Sequence, residues 1–335
     1  MLKRSILLFI LFFTLFSCQQ DEQPKISFYY WKTIFKLSSD EKKTLKNNQV
    51  TTIYIRYFDI DLESKTQQPI PKSPIHFEEK ATDIRVVPVI YLKNKVLLKS
   101  QLNTEDLVTK TLSYINQINV KNQITTDEIQ IDCDWTLTSK DQFLNFIEEI
   151  KKQSGKKISA TIRLHQIKHY KQTGIPNVDQ AVLMYYNMGK IAPDSLNSIY
   201  DKKVADNYLK SIEHYPMKLN LALPIYSWAI HIHHNKVIGL ISKMDVQDLK
   251  KDSNFVQEND NFFKVKNSVY KAGNFLEKND VLKIETISKS DLLEMANDIN
   301  DHIQQNPHEI IFYDLDEFNT KHYEKDIFKQ VISRF

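Results

Sequence analysis

The sequence predicts an α/β fold, a (β/α)8 TIM barrel with an insertion after strand seven. Short runs rich in β-branched and aromatic residues alternate with amphipathic or polar stretches along the chain. Such alternation of strands and helices is typical of a parallel sheet. The chain has 335 residues, enough for one large core, and eight strand–helix units of this size are typical of a closed barrel.

Eight strand-like runs follow the first 25 residues. In chain order they are KISFYYW near 28, VTTIYIRYFDI near 54, IRVVPVIYL near 88, EIQIDCDW near 131, KISATIRLH near 161, QAVLMYYN near 184, LNLALPIYSW near 223 and EIIFYDL near 312. Helix patterns separate several of them. One begins at a capping Asn103 or Thr104, a second runs from Ser139 to Gly155, and a third begins at Ser290.

The spacing of the runs changes at two places. About 60 residues separate the seventh run from its helix, which is too long for an ordinary connection and predicts an inserted subdomain at 229–289. The connection after the second run contains Pro69, Pro71 and Pro74 and is typical of a surface loop. We therefore divide the chain into a signal peptide (1–17), a tether (18–25) and a barrel domain (26–335).

The N-terminus has the pattern of an export signal. Two basic residues precede an apolar run from Ile6 to Phe16, which is shorter than the roughly 20 residues of a membrane-spanning helix. The LFSC stretch resembles the lipobox of bacterial lipoproteins, which implies a lipid on Cys18 and anchoring to the membrane. The alternative is a plain secreted protein with a chance cysteine. The following QQDE resembles a surface-export signal, so we expect an outer-membrane lipoprotein that this signal directs to the cell surface.

The composition excludes several functional classes. Acidic and basic residues are nearly balanced at a net charge of +3, so a nucleic-acid partner is not expected. The chain has five glycines and lacks the dinucleotide and phosphate-loop motifs, and no cofactor is predicted. The HIHHN stretch has no carboxylate at a sensible spacing, so we interpret His231 and His233 as a solvated loop and predict no metal.

The fourth and fifth runs place charged side chains where barrel strands end. Asp132 and Asp134 are two residues apart, so in an extended strand they share a face, and their repulsion would raise one pKa. Arg163 and His165 share a face in the next run. This group is a candidate for general acid–base catalysis. The alternative is an ion-pair network with a purely structural role.

Aromatic and amide side chains are predicted at the same end of the barrel. They are Trp31, Trp135, Tyr186, Asn187, Tyr226 and Trp228. Aromatic faces and amide donors suit sugar rings, which have apolar faces and polar edges. Aromatic residues at strand ends also commonly cap a core, and this alternative applies to each of them singly.

Several of these motifs resemble the chitinase-like glycosidases of glycoside hydrolase family 18. IDCDWT is similar to their strand-four D-x-D-x-E, MYYN to their M-x-Y-D, LALPIYSW to their G-x-P-x-Y and YDLD to their W-x-L-D. The resemblance implies a barrel acting on glycans, in which Asp134 orients the acetamido group of the substrate. The chain also resembles a group of uncharacterised bacterial lipoproteins with the same barrel pattern.

The chain departs from the family pattern at two positions. Thr136 stands where the family has its acid glutamate, and Asn187 stands where it has an aspartate. If the barrel hydrolyses glycans through Asp134, a second carboxylate is needed, and Asp59 and Asp316 are the candidates. The alternatives are a non-catalytic carbohydrate-binding barrel and an unrelated barrel hydrolase or scaffold.

Overall fold

The computed structural model describes residues 23–335, so the predicted signal peptide and Cys18 lie outside the described residues. Eight parallel strands form a closed barrel, which confirms the predicted fold. In chain order, the barrel strands are Lys25–Tyr30, Thr52–Leu62, Arg85–Leu92, Glu128–Asp132, Lys157–Arg163, Gln180–Met184, Leu219–Pro224 and Glu309–Tyr313. Each pairs with the next, and the first strand pairs with both the second and the eighth.

Helices of varied length follow the strands. Their bounds are Ser39–Asn47, Asn94–Leu97, Thr104–Asn122, Lys140–Ser154, Leu164–Lys168, Tyr170–Thr173, Lys202–Glu213, Val246–Lys250, Lys289–Asn300, Glu317–Thr320 and Ile327–Ile332. No helix within residues 23–335 is long and apolar enough to span a membrane.

The predicted helix boundaries hold in part. Asn103 accepts a hydrogen bond from the backbone of Asp106 and caps its helix, as expected. Gly155 ends the next helix in the left-handed conformation that glycine adopts readily. The helix predicted from Ser290 instead starts at Lys289 and is capped by Ser288, because Ser288 and Asp291 form a reciprocal capping box.

The connection after the second strand is more regular than the predicted loop. Pro69–Lys72 pairs antiparallel with the end of the second strand, from Asp59 to Leu62, and lies at the edge of the sheet. Proline lacks a backbone donor, so an edge position is where a strand tolerates it.

Residues 228–285 contain a second sheet of five antiparallel strands. Its order is Lys236–Ser242, Trp228–His233, Val281–Glu285, Phe262–Val265 and Phe255–Gln257, with a separate hairpin of Val269–Lys271 and Asn274–Leu276. This sheet has its own apolar cluster, which includes Phe263 and Leu282. We call this five-stranded sheet the insertion sheet.

The prediction of a solvated His231 and His233 loop is wrong. Both histidines lie on the strand Trp228–His233, and each contacts one oxygen of Asp280 at 2.6 Å. The carboxylate that the local sequence lacks is supplied 47 residues further along the chain. No set of three or more His, Cys, Asp or Glu side chains in residues 23–335 is arranged to hold a metal ion.

Trp135 is a core residue, which corrects its assignment to the sugar-facing end of the barrel. The fourth strand ends at Asp132, so the alternation of side chains does not extend to Trp135. The indole is fully buried, stacks on Phe143 with ring centroids 4.2 Å apart, and donates to the backbone oxygen of Thr173.

We expect Trp135→Ala to lower the free energy of unfolding by about 3–5 kcal/mol, as truncation of large buried aromatics does. Chemical denaturation measures this change. Leu137→Ala is the control, because Leu137 is two residues away and 59% exposed, and its effect should be within about 0.5 kcal/mol. Similar losses in both variants would contradict the core assignment.

Candidate functional site

A cavity of about 680 Å³ opens at the carboxyl end of the barrel strands. In barrel enzymes this end carries the active site. The structure places eight of the predicted site residues in its lining: Trp31, Asp132, Arg163, Tyr186, Asn187, Tyr226, Trp228 and Asp316. We call this space the main cavity.

Asp132 and Asp134 have different surroundings. Asp132 is buried and accepts a hydrogen bond from Thr161 Oγ1 at 2.6 Å. Burial raises the pKa of the Asp132 carboxyl, while Arg163 acts against this shift and Asp134 adds to it. The Asp134 side chain is 45% exposed and lines a smaller neighbouring cavity of about 330 Å³. Asp134 therefore does not share the buried environment of Asp132, although the two acids are only two residues apart in the sequence.

Arg163 joins the two cavities. Its guanidinium lines both of them and donates to both carboxylate oxygens of Asp134, through Nε to Oδ1 and through Nη2 to Oδ2 at 3.2 Å. A two-point contact of this kind fixes the plane of the guanidinium. Asp134 is thus occupied as the partner of Arg163.

His165 lies on a helix and not on the predicted strand. The fifth strand ends at Arg163, and the helix Leu164–Lys168 begins directly after it. His165 lines the smaller cavity beside Asp134. Burial lowers the pKa of its imidazole, and the negative charge of Asp134 opposes this shift.

Asp59, a predicted site residue, is not part of the lining of the main cavity. It belongs to the second strand itself, where a register shift occurs between Arg56 and Phe58. Its carboxylate is buried and accepts from Arg56 Nε at 2.7 Å. The Arg56 guanidinium in turn lies 5.6 Å from the ring centroid of Trp31. Asp59 therefore supports an aromatic residue of the main cavity through Arg56.

Aromatic rings form one wall of the main cavity, and Tyr313 lies at its centre. The Tyr313 ring is within 5.8 Å of the rings of Trp31, Tyr186 and Tyr226, measured between centroids. Tyr226 also packs against Trp228 at 5.3 Å. The Tyr186 hydroxyl is buried and makes no hydrogen bond with any described residue. We call these five residues the aromatic wall.

Two acids follow the eighth strand, Asp314 and Asp316, and their pKa values are shifted in opposite directions. Burial, reinforced by the charge of Asp316, raises the pKa of the Asp314 carboxyl to about 7. Asn319 Nδ2 donates to Asp314 Oδ1 at 2.7 Å. Asp316 contacts Lys243 Nζ at 2.7 Å and Lys32 Nζ at 3.2 Å. Its pKa is lowered, because these contacts and a backbone hydrogen bond outweigh burial.

Sequence reasoning missed several residues of the main cavity. They are Lys32, Tyr91, Lys243, Tyr313, Asp314 and Asn319. The FYDLD stretch carried a usable signal, because Asp314 and Asp316 repeat the spacing of Asp132 and Asp134 directly after a strand. Lys243 belongs to the loop after an insertion strand, and no local pattern indicates that it returns to the barrel.

The chain has the same fold as several solved chitinase-like proteins. No protein-family model and no curated protein matches it. The spore cortex-lytic enzyme SleL of Bacillus cereus aligns with a TM-score of 0.58 and 14% identity over 94% of this chain and 75% of that one. A chitinase from Chromobacterium violaceum gives 0.54 and 12% over 92% and 99%. A GH18 chitinase from Flavobacterium johnsoniae gives 0.51 and 11% over 93% and 94%.

The raised pKa of Asp314 predicts a specific dependence of stability on pH. Folded Asp314 keeps its proton up to about pH 7, whereas in the unfolded chain it ionises near its ordinary pKa of 3.8. The folded state therefore loses stability relative to the unfolded state as the pH rises through this interval. Asp314→Asn removes this contribution, so the stability of the variant relative to the wild type should increase from pH 4 to 7 and stay level above pH 7.

Urea unfolding at a series of pH values tests this expectation. Asp141→Asn is the control for the substitution itself, since the Asp141 side chain is 90% exposed, and its effect at neutral pH should be within about 0.5 kcal/mol. A constant difference between Asp314→Asn and the wild type across the series would contradict a raised pKa at Asp314.

Proposed function

We propose that this protein is a glycan-binding barrel of the bacterial cell envelope, anchored through a lipid on Cys18. The observation that carries the proposal is the aromatic wall, which lines the main cavity together with Arg163, Asp132 and Asn187. Sugar rings have apolar faces that pack on aromatic side chains, and their hydroxyl groups need polar partners. The main cavity offers both kinds of contact.

The polar groups of the main cavity fit the edge of a sugar. Arg163 offers donors, Asp132 offers acceptors, and Asn187 offers both. Most ligand sites combine an apolar lining with a few placed polar groups of this kind. The shared fold with chitinases and a cortex-lytic enzyme adds support for a glycan as the ligand.

A binding function explains the residues after the fourth strand better than hydrolysis by the mechanism of glycoside hydrolase family 18 does. Thr136, at the position where the resemblance implies the acid glutamate, is an exposed residue whose hydroxyl contacts Thr138 and Ser139. A threonine hydroxyl cannot act as the proton donor that a glutamic acid provides. Asp134 is held by Arg163. The assignment of Asp134 as a catalytic acid thus loses support, and we assign it to orienting Arg163.

Hydrolysis is the second candidate, and Asp314 is the observation that favours it. A carboxyl with a pKa of about 7 is protonated in part at neutral pH, which suits a general acid. Asp314 would give its proton to the departing glycosidic oxygen while water adds to the anomeric carbon. The proton released by the water would pass to Asp132, which lines the same cavity.

Asp134→Asn tests the binding site. The substitution keeps the shape of the side chain but removes the charge that orients Arg163, so we expect affinity for a bound glycan to fall at least tenfold, or about 1.4 kcal/mol. Thermal stability should change little, because Asp134 is 45% exposed. A glycan array followed by calorimetry measures affinity, and Asp141→Asn is the matched control.

The same screen separates the two candidate functions. Binding with no released sugar, unchanged in Asp314→Asn, would favour the binding barrel. Released sugar that disappears in Asp314→Asn and declines above pH 7 in the wild type would favour the glycosidase. If Asp134→Asn unfolds the protein, the contact between Asp134 and Arg163 is structural, and the binding proposal loses that support.

The anchor is tested separately. Cys18→Ala removes the sulfur that would carry the lipid, so we expect the protein to move from the detergent-soluble membrane fraction to the soluble fraction with its fold intact. Cys133→Ala is the control, since it removes the other cysteine and should stay in the membrane fraction. Mass spectrometry of the mature N-terminus decides the processing site, and a start at any other residue would refute the lipid anchor.

A further inference from the structure

The insertion sheet contains a buried ion pair next to the main cavity. Lys283 and Glu285 lie on its strand Val281–Glu285, and both side chains are 0% exposed. Lys283 Nζ lies 2.8 Å from Glu285 Oε1. Removing two charges from water costs free energy, and a pair of apolar residues at such positions is often equally or more stable. Fold stability alone therefore does not explain why this pair is present.

Glu285 holds a residue of the aromatic wall. Its Oε2 accepts from Trp228 Nε1 at 2.8 Å and from Ser198 Oγ at 2.5 Å. Trp228 is also the cross-strand partner of Glu285 in the insertion sheet. Hydrogen bonds to an ionised acceptor are stronger than neutral ones. The carboxylate thereby fixes the indole where it lines the main cavity.

Lys283 forms hydrogen bonds with the segment 187–199, which follows the sixth barrel strand. Its ammonium donates to the backbone oxygen of Leu196 at 2.5 Å and to that of Ala192 at 3.3 Å. The same segment begins at Asn187, whose backbone N–H donates to Ile199 O at 2.9 Å. The ion pair therefore connects the insertion sheet to residues 192–198, and the backbone hydrogen bond between Asn187 and Ile199 joins the two ends of this segment.

The segment in turn fixes two residues that face the ligand. Asn187 Oδ1 accepts from the Tyr226 hydroxyl at 2.5 Å, and both residues line the main cavity. Glu285 thus contacts Trp228 directly, and the segment 187–199 connects it to Asn187 and Tyr226. Three residues of the proposed glycan site share one buried support.

We infer that Lys283 and Glu285 are positioning residues for the glycan site, and that the insertion sheet is a working part of this site. The inference rests on the proposed function. The two residues act through Trp228, Asn187 and Tyr226, which form the surface offered to the sugar. The buried pair thereby preserves the specificity of the site for ligands that pack against this surface.

The double variant Lys283→Met/Glu285→Met tests the inference. It removes both charges together, so neither is left buried and unpaired. The hydrogen bonds lost at Trp228, Ser198 and Leu196 should lower the melting temperature, but the variant should still unfold in one cooperative transition. Glycan affinity should fall at least tenfold. Lys289→Met/Glu324→Met is the matched control, because it makes the same substitutions in an exposed pair with a contact of 2.9 Å, and its affinity should be unchanged.

A second readout does not depend on a ligand. Hydrogen exchange of the Trp228 indole N–H, followed by NMR, should be slow in the wild type and faster in the double variant. Ser198→Ala provides a milder perturbation if the double variant fails to fold. It removes one donor to Glu285 Oε2, and it should weaken glycan binding with little loss of stability.

The outcomes separate this inference from the proposed function. Wild-type affinity in a folded double variant, or in Ser198→Ala where the double variant does not fold, would overturn the positioning role. If the wild type binds no glycan, the proposed function fails, and the indole exchange then decides whether the pair positions Trp228. Equal exchange rates in the wild type and a folded variant would overturn the inference on this ground as well.

Discussion

The pairing of the first and eighth strands closes the sheet, and the rest of the molecule depends on this closure. Lys25 to Phe28 pair in parallel with Glu309 to Phe312, although the two segments lie at opposite ends of the described chain. Because all eight strands run in the same direction, closure brings all their carboxyl ends to one opening. Trp31, directly after the first strand, meets Tyr313 of the eighth strand at a centroid distance of 5.4 Å for this reason.

The barrel was predictable because its strands are buried on both faces. Runs such as KISATIR and EIIFY are almost continuously buried, as expected for parallel strands between a core and a helix layer. Helix boundaries were predictable where one residue decides them, as with Asn103 and Gly155. The third helix shows the limit, since Ser288 and Ser290 are equally plausible caps by composition and only the contact with Asp291 decides between them.

The site was predictable at the ends of the strands, and beyond them the predictions were right for some residues, such as Asn187, Tyr226 and Asp316, and wrong for others. Asp132 and Arg163 end their strands and reach the main cavity. Trp135 and His165 lie past the strand ends, where the alternation of side chains stops, so the sequence pattern wrongly placed Trp135 at the opening and His165 on a strand. Lys243 could not be predicted at all, because its contact with Asp316 spans 73 residues and depends on the path of the insertion.

The position of the first strand has a consequence for the orientation of the whole molecule. Lys25 begins at the amino end of the barrel, and the main cavity lies at the opposite end. A tether from Cys18 to Lys25 reaches roughly 25 Å even when fully extended, at about 3.3–3.6 Å per residue. With the proposed lipid on Cys18, the amino end of the barrel would stay near the bilayer while the main cavity faced outward. The main cavity would then open toward glycans that lie about one barrel height or more above the membrane.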